Sequence, residues 1–166
     1  MKIDCTNFKK FIDDYFIKLP NEIDFQPGKK ELFSEDFDVV TSSVQAKEAK
    51  KVIYIWRTKA PIPRLKGESD IIYIGQTKRS IFARHGNSKI KASSKANTQK
   101  YNDIVDLYGA LTISFIKFDD FDPENKTNLL KAEGQFLWWY FQNHSEYPPI
   151  NYTKTKVRNP FVEINV

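Results

Sequence analysis

Three stretches of the chain are built from β-branched, aliphatic and aromatic residues in short runs that predict β-strands. They are VIYIW at 52–56, IIYIG at 71–75 and LTISFIKF at 111–118. Runs of this length and composition are typical of strands that are buried on one or both faces. Between the first two runs, Pro61, Pro63 and Gly67 predict a loop without regular structure. We therefore expect the first two strands to pair in an antiparallel hairpin.

Helical spacing appears on either side of these strands. Residues 7–19 place apolar side chains three and four positions apart and end before Pro20, which predicts an amphipathic helix. Further helices are predicted at 98–108, which ends before Gly109, and at 126–143, the longest. The order of elements predicts an α/β fold in which helices flank a small, mainly antiparallel sheet of three strands, with an N-terminal helical extension.

Composition limits the classes of protein to which the chain can belong. Its 166 residues fit one domain, and 14% aromatic residues is too large a share for a disordered chain. No apolar run approaches the roughly 20 residues that span a bilayer, and the N-terminal residues do not form a secretory signal. Cys5 is the only cysteine, which excludes an intrachain disulfide and a thiolate zinc cluster. From these features we expect a cytoplasmic protein with no membrane contact. PGKK at 27–30 is not a phosphate-binding loop, so we expect no nucleotide cofactor.

Positive charge is concentrated between Lys78 and Lys100, a segment without acidic residues. Lysine and arginine displace counterions from phosphates, and the Ser, Thr, Asn and Gln residues interleaved with them can donate hydrogen bonds. Five of the cations are candidates for binding nucleic acid: Lys78, Arg79, Lys89, Lys91 and Lys95. The alternative is a solvated helix and loop, which the net charge of +5 does not exclude.

Glu133 stands at an unusual place in the last predicted helix. Its neighbours three and four positions away are all apolar: Leu129, Leu130, Phe136 and Leu137. An ionised carboxylate in an apolar stripe loses hydration, and it must recover that loss from a cation, a metal or donated hydrogen bonds. Glu133 is therefore a candidate ligand. The alternative is a slightly rotated helix that leaves it solvated at a boundary.

Five features in this order and approximate spacing resemble the GIY-YIG nuclease family. They are VIY at 52–54, YIG at 73–75, Arg84 eleven residues after Tyr73, Glu133 in a late helix, and Asn151 at the end of PPIN. Val52 stands where the family's first glycine lies, and the loop joining the tyrosine strands is longer than in many members. The resemblance covers 51–152, which leaves 1–50 as an extension packed on the core and 153–166 as a tail with a possible strand at 161–164.

The resemblance implies a metal-dependent DNA endonuclease, such as a stand-alone restriction or phage enzyme. Tyr54 and Tyr73 would converge on the scissile phosphate, and one of them would orient or deprotonate the attacking water. Arg84 would hold a non-bridging phosphate oxygen. Glu133 would bind a single Mg²⁺ or Mn²⁺, and Asn151 would fix the local geometry beside it.

Proton transfer depends on charges near these tyrosines. A free phenol has a pKa near 10, so Tyr54 as a base would need positive charge from Lys78, Arg84 or a metal-bound water. His85 follows Arg84 and points about 100° away from it on a helix. His85 either joins the site as a base or water-orienting group, or it packs or faces solvent.

Other functions remain open at this point. A non-catalytic nucleic-acid-binding module could retain the same fold, and a protein-interaction domain could carry the motif by coincidence. The aromatic run at 136–141 could stack on bases but is expected to pack in the core. The oligomeric state is undetermined, and a dimer is one way to cut both strands of a duplex.

Overall fold

An antiparallel sheet of four strands, in the order β1-β4-β2-β3, lies at the centre of the fold. The computed structural model describes residues 6–23, 35–85, 95–122, 124 and 127–151. The strands are β1 (Ile17–Lys18), β2 (Lys50–Pro63), β3 (Glu68–Ser80) and β4 (Leu111–Lys117). The helices are α1 (Phe8–Tyr15), α2 (Glu35–Thr41), α3 (Val44–Glu48), α4 (Ile81–His85), α5 (Lys95–Tyr108), α6 (Phe118–Phe121) and α7 (Leu129–His144). The predicted α/β class with an antiparallel sheet is confirmed.

The predicted number of strands, three, is wrong because the N-terminal segment adds a fourth. The helix predicted over 7–19 ends at Tyr15, and Ile17 and Lys18 then pair with β4. Extended backbone before Pro20 is the conformation that proline favours in the preceding residue. The main-chain N–H of Leu19 donates to the carbonyl of Ile113 at 2.8 Å and continues this pairing. The extension therefore covers an edge of β4 that would otherwise be unpaired.

The loop predicted between the tyrosine strands is also wrong over most of its length. β2 continues to Pro63 and β3 begins at Glu68, and these two residues are paired. Pairing of β2 with β4 stops at Thr58, so the last part of β2 has a neighbour on one side only. A register shift between Arg57 and Ile62 takes the intervening residues out of the ladder. Proline is tolerated in a strand at such edge and bulge positions.

The two faces of the sheet carry two separate apolar clusters. One face of β2 presents Val52, Tyr54 and Trp56 to residues of α2, α3 and α5. The other face presents Ile53 and Ile55 to residues of α1, α6 and α7. This alternation along β2 follows from the two-residue repeat of a strand. It separates α7 from the rings of the tyrosine motif.

The first 50 residues contribute to both clusters. No helix is predicted from the sequence between residues 20 and 50, yet Phe37 and Val40 of α2 pack in the cluster that contains Tyr54. Phe8 and Phe11 of α1 pack against the residues of α7. Arg57 donates to Asp13 of α1 and to Asp70 of β3, both at 2.7 Å.

The remaining predicted elements lie close to their expected positions. The helix predicted at 98–108 is α5, and the one at 126–143 is α7, which is capped by Asn128 accepting from the N–H of Lys131 at 3.0 Å. The strand proposed at 161–164 lies outside the described residues. None of the helices in the described part of the chain has the length and apolar character needed to cross a bilayer.

Candidate functional site

Tyr54 and Tyr73 lie side by side on one face of the β2–β3 hairpin. Tyr54 is paired with Gly75, and Tyr73 with Trp56. The centroids of the two phenol rings are 5.9 Å apart, with the planes tilted by 36°. A Cβ added at Gly75 would lie 2.8 Å from Tyr54 Oη and 2.6 Å from Tyr73 Cε1. The glycine of the YIG motif therefore leaves the space that both rings occupy.

Burial makes both phenols harder to ionise. Desolvation raises the pKa of Tyr54 well above its ordinary value of 10, and a charge on Tyr73 raises it further. Arg84 acts in the opposite direction but is outweighed. Arg84 is thus one source of the positive charge that Tyr54 would need as a base, but by itself it does not offset the effect of burial.

Tyr73 is the easier of the two to ionise. Burial raises its pKa as well, the neighbouring Tyr54 hydroxyl partly offsets that rise, and the negative charge of Glu133 adds to it. Tyr73 is also partly exposed, whereas Tyr54 is fully buried. Tyr73 is therefore the more accessible and the more readily ionised phenol of the pair.

Arg84 is an exposed cation beside both phenols. It lies on α4, which follows β3 directly and is capped by Ser80, whose Oγ accepts from the N–H of Ala83 at 3.0 Å. The neighbouring Tyr54 phenol raises the pKa of Arg84, burial lowers it, and Tyr73 raises it further, so the net shift is upward. An arginine is cationic at any physiological pH in any case. Its guanidinium therefore places a permanent positive charge at the mouth of the tyrosine pair.

His85 packs inside the cluster rather than facing solvent. Its ring meets Tyr54 edge to face at 5.0 Å and Trp56 at 5.5 Å. Burial, followed by the charge of Arg84, lowers the pKa of His85 to about 3. His85 is therefore neutral at physiological pH and is a poor proton acceptor.

Three buried polar atoms in this cluster have no hydrogen-bond partner among the described residues. They are Tyr54 Oη, Trp56 Nε1 and His85 Nε2. Nearly all buried polar groups in proteins are hydrogen-bonded, so such atoms mark unused bonding capacity. Trp56 was not a predicted site residue, because an aromatic in a strand gives no signal beyond core packing. The structure shows that Trp56 belongs to the tyrosine cluster, because its ring contacts those of Tyr73 and His85.

Glu133 lies at the boundary of the core, not within a wholly apolar environment. Leu129 and Phe136 are buried, but Leu130 is 48% exposed and Glu133 itself is half-buried. Although α7 packs on the face opposite the phenol rings, the charge of Glu133 reaches Tyr73 and raises its pKa. β3, which carries Tyr73, is the outermost strand at that end of the sheet.

Asn151 fixes the backbone of the YIG segment. Its Oδ1 accepts from the N–H of Ile74 at 2.9 Å, and its Nδ2 donates to the carbonyl of Ile74 at 2.7 Å. The N–H of Ile150 donates to the carbonyl of Ile72 at 3.0 Å. The PPIN segment thus provides hydrogen bonds to the outer edge of β3 at Ile72 and Ile74.

The predicted basic residues are only partly described. Lys78 and Arg79 are exposed at the end of β3. Lys89 and Lys91 lie outside the described residues, and Lys95 is described only as the first residue of α5.

The aromatic run at 136–141 is divided between core and surface. Phe136, Trp139 and Tyr140 are buried, in agreement with core packing. Trp138 and Phe141 stack on each other at 5.7 Å, and Trp138 is exposed.

Comparison with known proteins adds no family assignment. A scan against protein-family models found no match. Searches of the curated proteins and of the solved structures also found no match. The resemblance to the GIY-YIG nucleases consequently depends on the residues and geometry described above.

Proposed function

We propose that this chain is a metal-dependent DNA endonuclease of the GIY-YIG type, acting in the cytoplasm at a site formed by Tyr54, Tyr73, Arg84 and Glu133. The observation that carries the proposal is the position of Arg84, an exposed cation beside two adjacent phenols. Phosphodiester hydrolysis needs a positioned water and positive charge against the developing charge on the phosphate oxygens. This cluster supplies groups for both needs.

Arg84 would bind a non-bridging oxygen of the scissile phosphate. Its planar guanidinium offers several N–H donors in a fixed arrangement that suits phosphate oxygens. Its exposure allows this contact without rearrangement of the core. The charge would be more useful in the transition state, because negative charge on those oxygens grows as water attacks.

Tyr73 would orient the attacking water. Tyr54, which is more deeply buried, would act on the hydroxyl of Tyr73. The hydroxyl of Tyr73 is the more accessible, and although burial raises its pKa, the neighbouring Tyr54 hydroxyl offsets part of that rise. The neutral Tyr54 phenol keeps its hydrogen, so it can act as a donor at the pH at which Tyr73 begins to ionise. Gly75 and Asn151 hold this pair in place through the backbone of β3.

The residues fit a single hard divalent cation. A carboxylate oxygen is a ligand that Mg²⁺ and Mn²⁺ prefer, and Glu133 brings one within electrostatic reach of Tyr73. No group of three or more potential ligand side chains occurs in the described ranges, so Glu133 would hold the ion together with water. When bound, the ion would supply positive charge to the phosphate and to the leaving 3′ oxygen.

Nicking of supercoiled plasmid tests the proposal. Wild type, Glu133→Gln and Arg84→Gln would be incubated with plasmid in Mg²⁺, Mn²⁺, Ca²⁺ or EDTA. We expect wild type to nick in Mg²⁺ or Mn²⁺ and each variant to be slower by about 100-fold or more. Glu68→Gln, an exposed residue at the start of β3, is the matched control and should cut like wild type.

Binding measurements separate the two candidate functions. Gel shifts in EDTA should show that Glu133→Gln binds DNA as wild type does. If wild type binds DNA but nicks no faster than Glu133→Gln in any of the metals, the protein is a non-catalytic binding module and the nuclease proposal is wrong.

A further inference from the structure

One end of the β2–β3 hairpin brings together cations from two distant parts of the sequence. Lys50, the first residue of β2, is paired with Ser80, the last residue of β3. The N–H of Ile81, where α4 begins, donates to the carbonyl of Ala49 at 3.1 Å. The segment before β2 is therefore attached directly to the helix that carries Arg84.

Lys47 is placed beside the same helix. Its Nζ lies 5.5 Å from the ring centre of Phe82, which precedes Arg84 by two residues. Ser43 caps the short helix α3 that carries Lys47, accepting from the N–H of Ala46 at 3.2 Å. α3 and α4 pack against each other, so the position of Lys47 relative to the site is set by the fold.

We define the basic end surface as the exposed cations at this end of the hairpin. They are Lys47, Lys50, Lys78, Arg79 and Arg84. Lys51 lies at the same end, but its Nζ contacts Asp119 at 2.6 Å and its charge is compensated. Glu48 of α3 and Asp38 of the adjacent α2 are exposed acidic residues, and the five cations outnumber them.

We propose that the basic end surface binds the backbone phosphates of duplex DNA, and that Lys47 and Lys50 contact phosphates flanking the one held by Arg84. This inference rests on the proposed function for the identity of its partner. A duplex carries closely spaced phosphates along its length, and a surface of cations continuous with Arg84 matches that charge. Lysines of this kind position the duplex and do not read its sequence.

Salt dependence of binding tests this surface. Fluorescence anisotropy with a labelled duplex in EDTA would compare wild type with Lys47→Gln/Lys50→Gln over a range of salt concentrations. Each lost phosphate contact lowers the slope of log affinity against log salt by about 0.9, so we expect the double variant to bind more weakly and its slope to fall by about 1.8. Lys59→Gln/Lys66→Gln makes the same charge change at the other end of the hairpin and should match wild type.

The outcomes separate the surface from the nuclease activity. An unchanged slope for Lys47→Gln/Lys50→Gln, an equal loss in Lys59→Gln/Lys66→Gln, or no binding by wild type would each overturn the proposed surface. Wild type that binds with the expected charge dependence but never nicks plasmid would support the surface and contradict the nuclease. Far-ultraviolet circular dichroism and the thermal midpoint would verify that both double variants are folded.

Discussion

Gly75 lies directly opposite Tyr54 in the β2–β3 ladder, and the Tyr54 hydroxyl occupies the space that a side chain at residue 75 would need. The same glycine is in contact range of the Tyr73 ring. A residue that looks like a turn or strand-breaking glycine in the sequence is thus a packing requirement of the tyrosine pair. The geometry of the two phenols depends on it.

Substitution of Gly75 by alanine should disrupt both stability and activity. A Cβ there would lie between 2.6 and 2.9 Å from atoms of Tyr73 and Tyr54, so the rings must move. We expect a loss of about 1–3 kcal/mol in the free energy of unfolding and a large loss of plasmid nicking. Urea denaturation and the nicking assay would measure the two effects.

Gly134→Ala is the matched control for this substitution. Nothing lies within 4 Å of a Cβ at Gly134, which is on the exposed side of α7. Alanine is the better helix former, so this variant should gain about 0.5–1 kcal/mol and keep its activity. A Gly75→Ala variant as stable as wild type would show that the rings are not held in the positions described.

Removal of the Tyr54 hydroxyl should separate stability from activity. The Oη is buried without a hydrogen-bond partner among the described residues, and an unsatisfied buried hydroxyl is unfavourable. We expect Tyr54→Phe to raise the free energy of unfolding by about 1 kcal/mol while it reduces nicking strongly. Tyr73→Phe, whose hydroxyl is less buried, should reduce nicking with little change in stability. A destabilised Tyr54→Phe would contradict the assignment of Oη as unpartnered.

The elements that the sequence predicted well are those whose signal is local. β4 alternates apolar and polar residues and α7 is a long run rich in apolar residues, and both were found within a few residues of the expected bounds. β1 and the end of β2 were missed because their pairing is decided by other parts of the fold. Ile17 and Lys18 form a strand only because they pair with β4. Pro63 can remain in β2 because it pairs with β3 on one side and with no strand on the other.

The sequence predicted which residues of the candidate site lie together, but not their burial or their pKa shifts. Tyr54 and Tyr73 share a face because their positions in an antiparallel hairpin require it. The pKa shifts of Tyr54 and His85 depend on burial by α2 and α3, which the sequence did not reveal. The place of Asn151 on the backbone of Ile74 likewise depends on where the chain returns after α7.

Loss of the Asn151 side chain should loosen the YIG segment locally. Asn151→Ala removes two hydrogen bonds to the backbone of Ile74 and leaves the outer edge of β3 unpaired at that residue. We expect a loss of about 2 kcal/mol and roughly 30-fold faster exchange of the Ile74 amide, which hydrogen exchange measured by NMR would detect. Asn143→Ala alters a bond within α7, to the carbonyl of Trp139, and should leave the Ile74 amide unchanged. Equal exchange in both variants would contradict this role.

His85 should make stability depend on pH in a range where carboxylates change little. Burial lowers the pKa of His85 to about 3 in the folded protein, whereas an unfolded histidine has a pKa near 6.5. Between these values the unfolded chain binds a proton that the folded chain does not. Stability is therefore full above pH 6.5 and is lost progressively as the pH falls towards 3.

Comparison with a variant lacking the imidazole isolates this contribution. From pH 7.5 to 5, His85 should cost wild type about 2 kcal/mol of unfolding free energy that His85→Phe does not lose. His144, whose pKa is lowered in the same direction, is present in both proteins and cancels in the difference. Urea denaturation at several pH values measures this difference in unfolding free energy. His85→Gln is a second variant in case the phenyl ring of His85→Phe packs poorly. Parallel curves for wild type and both variants would show that His85 is not buried as a neutral ring against Tyr54.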